Sequence, residues 1–278
     1  NKRLNFLLLG MGGPGHDGPY LTDTIIIGSV KPKTGEVAMV SIPRDLRVNI
    51  PDSGYHKINY VNAYGESKRK NWGAAYTTNL IEDKFDLNID YYLRVDFAAF
   101  KEVVDKINGI KVTVKHPFTD NQFPAKNEKY KTISFSRGVQ TMNGQTALNF
   151  ARSRHGNNGQ GSDFARARRQ QKVLLAAKRK LMSYDTIASP QKIKGILDSV
   201  EKHITTNMKF SDIVSLAELS KKINIKQAKT LVLDNGKNGL LEAINGPNGA
   251  FMLKPKSGNF DKISTEIKNI FSSDKAQN

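Results

Sequence analysis

Two apolar runs, Leu4 to Leu9 and Thr24 to Val30, lie only a glycine-rich loop apart, and they constrain this chain more than any other feature. Both read as short strands, and a segment such as TIIIG has to be buried. A third strand, Glu36 to Ile42, follows the turn Pro32-Lys33-Thr34-Gly35, so the second and third strands close as a hairpin. Downstream, the pattern predicts a helix over 71–85, a strand over 91–95, a helix over 96–107 with Asp96 as N-cap, and a strand over 110–115. This is an alternating α/β order.

The stretch 117–132 reads as a polar loop, 133–135 as a strand and 143–150 as a short helix. A long helix over 163–182 follows, then helices over 191–203 and 211–223, a strand over 230–233, an Asn/Gly loop through Gly249 and a last helix over 260–271. A chain of 278 residues with 38% apolar content can bury a core, and one α/β domain over 1–272 with a frayed tail at 273–278 is expected. The absence of cysteine excludes disulfides, thiolate metal sites and cysteine nucleophiles. A net charge of +17 calls for anionic company: nucleic acid, an anionic membrane surface or a phosphorylated substrate. No apolar stretch is long enough to span a bilayer. The chain starts at Asn1 without an initiator Met and enters a strand within three residues, as a chain trimmed of an N-terminal segment such as an anchor would.

The run ALNFARSRHGNNGQGSDFARARRQQKVLL gathers Arg152, Arg154, Arg166, Arg168 and Arg169 around one Gly/Asn/Ser loop and one helix start. Arg152 and Arg154 are two apart, so on an extended chain their forks point the same way, a geometry suited to phosphate oxygens. Ser162 is placed to cap the following helix, whose free N–H groups favour an anion, and Asp163 is placed to orient Arg166. Gln170 and Gln171 continue the polar stripe, while Phe164, Ala167, Leu174 and Leu181 occupy the other side. A solvated basic face is the plainer account of such a helix.

GMGGPG at 10–15 matches G-x-G-x-x-G but is followed by another strand and no crossover helix, so a dinucleotide site is rejected. Asp23, at the mouth of the TIIIG strand, is either a cap or a ligand; Mg²⁺ (or Mn²⁺) takes one or two carboxylates plus phosphate oxygens. In SIPRDLRV, Arg44 and Asp45 stand where Pro43 stops the third strand, as an ion pair or as working residues, with Lys57 and Arg47 adding charge at the same rim. The five histidines make no i,i+4 pair, and no G-x-S-x-G occurs, which disfavours a zinc hydrolase or a serine nucleophile. Tyr60, Tyr64, Trp72 and Tyr76 are not interleaved with basic residues as in RNA-binding motifs.

LTDTIIIGSV, SIPRDLRV, KINYVNAYG, IDYYLRVDFAAFKEVVDKINGIKVTV, NGQTALNFARSRH and SDFARARRQQ occur in that order, and the chain resembles the LytR-CpsA-Psr family of cell-envelope phosphotransferases. The resemblance implies a central mixed sheet flanked by helices on both faces, enclosing an apolar tunnel for a polyprenyl chain. It further implies transfer of a glycopolymer from a polyprenyl-pyrophosphate carrier to peptidoglycan on the extracytoplasmic face of the cell membrane. Nucleic acid is not among the partners so implied. By position, the phosphate-binding arginines fall on Arg44, Arg152, Arg154 and Arg166, with Asp163, Gln170 and Lys57 beside them, and the metal or general-base aspartate on Asp23. The expected catalytic set is Asp23, Asp45, Arg44 and Arg154. The family's carboxylate after the first strand is replaced here by Met11-Gly12, and Asp17 is the nearest substitute. A pyrophosphatase using the same residues, and a non-catalytic anionic-polymer or nucleic-acid binder, are the alternatives.

Overall fold

The computed structural model describes residues 3–125, 129–183, 190–223 and 227–272. The expected tail at 273–278 lies outside them. Two compact units emerge, residues 1–96 with 203–278, and residues 97–202.

The first unit is built on a six-stranded mixed sheet flanked by helices. Its centre is β1 (Leu4–Met11), antiparallel to β2 (Thr22–Val30) and parallel to β6 (Tyr91–Asp96). Leu7, Leu9, Ile25, Ile26 and Ile27 are at most 2% exposed, which is why these runs are almost uninterruptedly apolar. The predicted hairpin closes β2 on β3 (Val37–Ser41), with the Lys31 N–H donating to the Glu36 carbonyl at 3.0 Å. At the edges lie β11 (Ile204–Thr206), beside β6, and β12 (Lys229–Val232), parallel to β3. A small hairpin, β4 (Arg47–Ile50) and β5 (Gly54–Lys57), leaves the end of β3. The predicted Asn/Gly loop after residue 233 contains a hairpin instead, β13 (Leu241–Asn245) with β14 (Phe251–Pro255).

Of this unit's helices, α2 (Gly73–Phe85), α7 (Phe210–Ser220) and α8 (Asp261–Lys268) match the sequence pattern, whereas α1 (Tyr60–Lys68) does not. Its buried positions are Val61, Asn62, Tyr64 and Gly65, and the polar and glycine members blur the apolar stripe. Gly65 is there because α1 and α2 touch backbone to backbone: a Cβ on it would come within 2.8 Å of the Gly73 Cα. Gly65→Ala is therefore expected to cost about 1–3 kcal/mol by overpacking, read as a lower midpoint in urea denaturation.

The second unit pairs β7 (Ile110–Val114) with β10 (Gly138–Met142), and β8 (Phe118–Pro124) with β9 (Tyr130–Phe135). The predicted polar loop over 117–132 is thus corrected: β8 occupies its first half, with Phe118 and Phe123 turned inward. Helices α3 (Phe97–Lys106), α4 (Gly144–Arg152), α5 (Asp163–Ser183) and α6 (Pro190–Val200) complete the unit. Ile110, Val112, Phe118, Phe135, Phe150, Val173 and Ala176 share one core. The buried stripe of α5 is Ala165, Arg169, Val173 and Ala176, while Phe164, Ala167 and Leu174, expected on the core side, are only half-buried.

Candidate active-site clusters

In the first unit, strand register gathers the chemistry at one end of the sheet. Met11 at the end of β1 lies beside both Asp96 at the end of β6 and Thr22 at the start of β2. The end of β3 arrives at the same edge, where the Ile42 N–H donates to the Ile25 carbonyl at 2.9 Å. Ends of strands, where the backbone is released from the ladder, are where α/β sheets carry ligands.

Asp23 owes its position to a β-bulge. Met11 pairs with Thr22 and Gly10 with Thr24, so Asp23 is the extra residue between them, and its side chain is 41% exposed. Arg44 follows the proline that ends β3 and donates from Nη1 to Asp23 Oδ1 at 2.9 Å, while its Nε lies 3.6 Å from Asp45 Oδ2. The β4–β5 hairpin returns so that the Ile58 N–H meets the Leu46 carbonyl and the Asn59 N–H meets the Arg44 carbonyl. That return delivers Lys57 Nζ to Asp45 Oδ1 at 2.6 Å. Two cations and two carboxylates thus form one network, with Asp45 only 6% exposed and Asp23 its most open member.

The glycine-rich loop leads straight into an antiparallel strand, as argued against a dinucleotide site. Gly13, at φ +80°, packs so tightly on Asp96 that a Cβ would sit 2.7 Å from the Asp96 Cβ. Asp96 in turn accepts from His203 Nδ1 at 2.7 Å. Asp17 is exposed in the same loop. Among the described residues, no three His, Asp or Glu side chains are grouped to hold a metal.

In the second unit, Arg152 ends α4 and is not in extended chain with Arg154, so the parallel-fork expectation gives way to two separate placements. The Arg152 guanidinium lies 4.4 Å over the Phe97 ring and 5.4 Å from the Phe123 ring. Arg154 Nε donates to Asp163 Oδ1 at 2.9 Å, and Arg166 Nη1 lies 3.4 Å from the same oxygen. One carboxylate therefore aligns two arginines at the start of α5, where Ser162 Oγ accepts from the Ala165 N–H at 3.1 Å as the expected cap. Gln170 makes a single long contact, 3.5 Å, to the Ala151 carbonyl. Arg168 is exposed.

Two further residues hold this loop, of which the sequence reading passed over Asp120. Asp120, fully buried on β8, accepts from Ser153 Oγ at 2.6 Å and from the N–H groups of Gln122, Arg154 and His155 at 2.9, 3.2 and 3.2 Å. Burial would raise its pKa, but those four donors outweigh it and hold the carboxyl below the ordinary aspartate range. Arg169, grouped with the other arginines of the run in the sequence, is 2% exposed and donates to the carbonyls of Phe150, Ser153 and Gln160. Its guanidinium stacks 4.8 Å from the Phe118 ring, and burial, followed by repulsion from Arg166, lowers its pKa to about 10. The signal was present, because Arg169 stands four residues from both Ala165 and Val173 on the buried stripe.

Comparison with known proteins places the chain in a family. The family model described as LytR_cpsA_psr family matches residues 1–269. The polyisoprenyl-teichoic acid–peptidoglycan teichoic acid transferase TagT of Bacillus subtilis is 32% identical over 214 residues, 76% of this chain and 62% of that protein. The corresponding TagU of Bacillus licheniformis is 31% identical over 265 residues, 95% of this chain and 77% of that protein. Against the first of these relatives the chain therefore spans about three-fifths of the length. The crystal structure of B. subtilis TagV superposes with a TM-score of 0.74 at 27% identity, covering 98% of both chains. A structure of TagT bound to LIIa-WTA shares the fold, with a TM-score of 0.71 at 24% identity over 98% of this chain and 92% of that one. With that family's model matched over 269 of its 278 residues, the chain belongs to the LytR_cpsA_psr family.

Proposed function

We infer that this protein transfers a glycopolymer from a polyprenyl-pyrophosphate carrier to peptidoglycan. Relatives at 31–32% identity are named as teichoic acid transferases of this kind. The observation that carries the reading is the pair Arg154 and Arg166, aligned by one Asp163 oxygen at the capped start of α5. Two guanidinium forks at a helix start suit phosphate oxygens.

In the reaction, an acceptor hydroxyl oxygen bonds to the phosphorus that bears the polymer. The bridging P–O bond breaks and polyprenyl phosphate leaves. The protein's work is to neutralise the charge that develops on the phosphoryl and leaving oxygens, for which Arg44 in the first unit and, separately, Arg152, Arg154 and Arg166 in the second are the candidates. The hydroxyl proton needs an acceptor, and Asp23, more open than Asp45, suits that role. Asp23 is also the oxygen donor best suited to Mg²⁺ or Mn²⁺, the rest of whose shell would come from phosphate and water; such a cation would supply further charge neutralisation. Asp17 has no described contact that ties it to Asp23. The carrier lipid and the wall polymer set the enzyme at the outer surface of the cell membrane, and no helix among the described residues is long and apolar enough to cross one.

Arg44→Ala and Arg154→Ala are each expected to lower kcat/KM by about 10- to 150-fold, the equivalent of losing a charge-assisted contact of about 1.5–3 kcal/mol. The assay supplies a lipid-linked pyrophosphate donor and Mg²⁺, with and without peptidoglycan. Turnover within a few fold of wild type in both variants contradicts the assignment, and phosphate release that ignores the acceptor identifies a pyrophosphatase.

A further inference from the structure

We propose that the outer face of the β4–β5 hairpin binds a phosphate-bearing sugar unit of the anionic polymer, beyond the pyrophosphate; this rests on the transferase reading above. Strand alternation builds the face. Arg47 pairs with Lys57 and Asn49 with Tyr55, so these four side chains share one side of the hairpin. Val48 and Ile50, at most 1% exposed, take the other side, and His56 turns to the Tyr60 ring at 4.8 Å.

The outer side has no use in the core. Tyr55 is 59% exposed, and Asn49 beside it is exposed too. The Arg47 guanidinium lies 4.3 Å over the Tyr55 ring, so an aromatic face and not a carboxylate holds it. An aromatic ring orients a cation without cancelling its charge, which leaves Arg47 able to serve an outside anion. The exposed ring edge and the Asn49 amide offer an apolar surface and a hydrogen-bonding group for a sugar.

Continuity with the first cluster fixes the kind of occupant. Lys57, on this same face, reaches Asp45 at 2.6 Å, and Asp45 lies 3.6 Å from Arg44. Along β5, Lys57 and Tyr55 are two residues apart, about 7 Å, a separation on the scale of one sugar unit. A cationic and aromatic step that starts at the Arg44 network suits a chain in which phosphate and sugar alternate. In a neutral glycan the Arg47 charge would find no partner.

The test measures direct binding of a lipid-free, phosphodiester-linked glucose oligomer to the whole chain, beside an uncharged glucose oligomer of equal length and phosphatidylglycerol vesicles. Arg47→Gln and Tyr55→Ala should each weaken the phosphodiester oligomer by about tenfold. Tyr55→Phe should stay within about threefold, since the ring remains. Unchanged thermal midpoints would show that all three variants fold. Native affinity in both weakened variants overturns the proposal. So does equal binding of the uncharged oligomer, and so does a loss confined to vesicle binding, which would mark a membrane-facing surface. Turnover of a donor carrying one sugar should survive Tyr55→Ala and fail in Arg44→Ala. Should the unsubstituted chain fail to turn over such a donor, the transferase reading falls by itself, while the direct binding data still decide the hairpin.

Discussion

Asp120→Ala is expected to destabilise the second unit by about 3–5 kcal/mol and to abolish activity with it, the cost of leaving several buried donors without their acceptor. The four donors are Ser153 Oγ and the N–H groups of Gln122, Arg154 and His155. Three of them belong to the chain that carries Arg152 and Arg154, so the substitution releases the segment on which the arginines stand. The Ser153 carbonyl is still held by Arg169 and the Asn157 N–H by the Thr119 carbonyl, so loop movement should exceed loss of secondary structure. Urea denaturation followed by far-UV circular dichroism, with hydrogen exchange at residues 153–162, checks both parts. A midpoint near wild type, with native protection in that loop, would contradict the assignment.

The same carboxylate gives a pH signature. Its folded-state pKa is held below the ordinary 3.8, so the native state binds its proton less readily than the unfolded chain does. The stabilisation is complete above the unfolded value and is lost as pH falls through the folded one. Wild type should therefore lose stability as pH drops below about 4, and Asp120→Asn should show a shallower slope there although it starts lower at neutral pH. Equal slopes would mean that another carboxylate governs the acid limb.

How much of this was legible in the sequence divides along one physical line. Strands such as Leu4–Met11 and Thr22–Val30 are read locally because their buried positions, alternate ones in the first and Ile25 to Ile27 in the second, are held by apolar residues close together in the chain. The pairing of Asp163 with Arg166 is legible too, because the two are three residues apart on one helix, whereas the spacing of Arg152 and Arg154 misled, since Arg152 ends a helix. The bulge at Asp23 was not, since a bulge is decided by the register of the partner strand. Arg169's spacing to Ala165 and Val173 was a legible sign of its burial, but the three carbonyls that hold it, contributed by residues 9 to 19 positions away, were not. Asp120 was hidden for the same reason: in a row of polar residues nothing local tells a solvated aspartate from one that organises a loop 33 residues downstream. Helix α1 stayed invisible because Asn62 and Gly65 fill core positions that a hydrophobic pattern would give to leucine.

Asn62 leads to the second large effect, in the first unit. It accepts from Arg94 Nη1 at 3.1 Å, and Arg94, 4% exposed on β6, also pairs with Glu66 and donates from Nη2 to Thr205 Oγ1 at 2.9 Å. One guanidinium thus ties α1, β6 and β11 together, although its Nε is buried without a hydrogen-bond partner among the described residues. Glu66 reaches the other way, accepting from the N–H groups of Asn71 at 2.9 Å and Gly73 at 3.1 Å, and so fixes the α1–α2 turn. Burial opposes its charge, but Arg94 and those two N–H groups prevail and hold its pKa below the ordinary 4.5. Glu66→Ala should cost about 3–5 kcal/mol, because it strands a buried cation, whereas removing both charges at once is far milder in a well-packed interior. Arg94→Met combined with Glu66→Leu should therefore recover most of that loss, with a coupling energy of about 2 kcal/mol or more in the double-mutant cycle. An additive cycle would show that the pair is not acting as a unit, and the tie between α1 and the sheet would have to rest on Asn62 and packing alone.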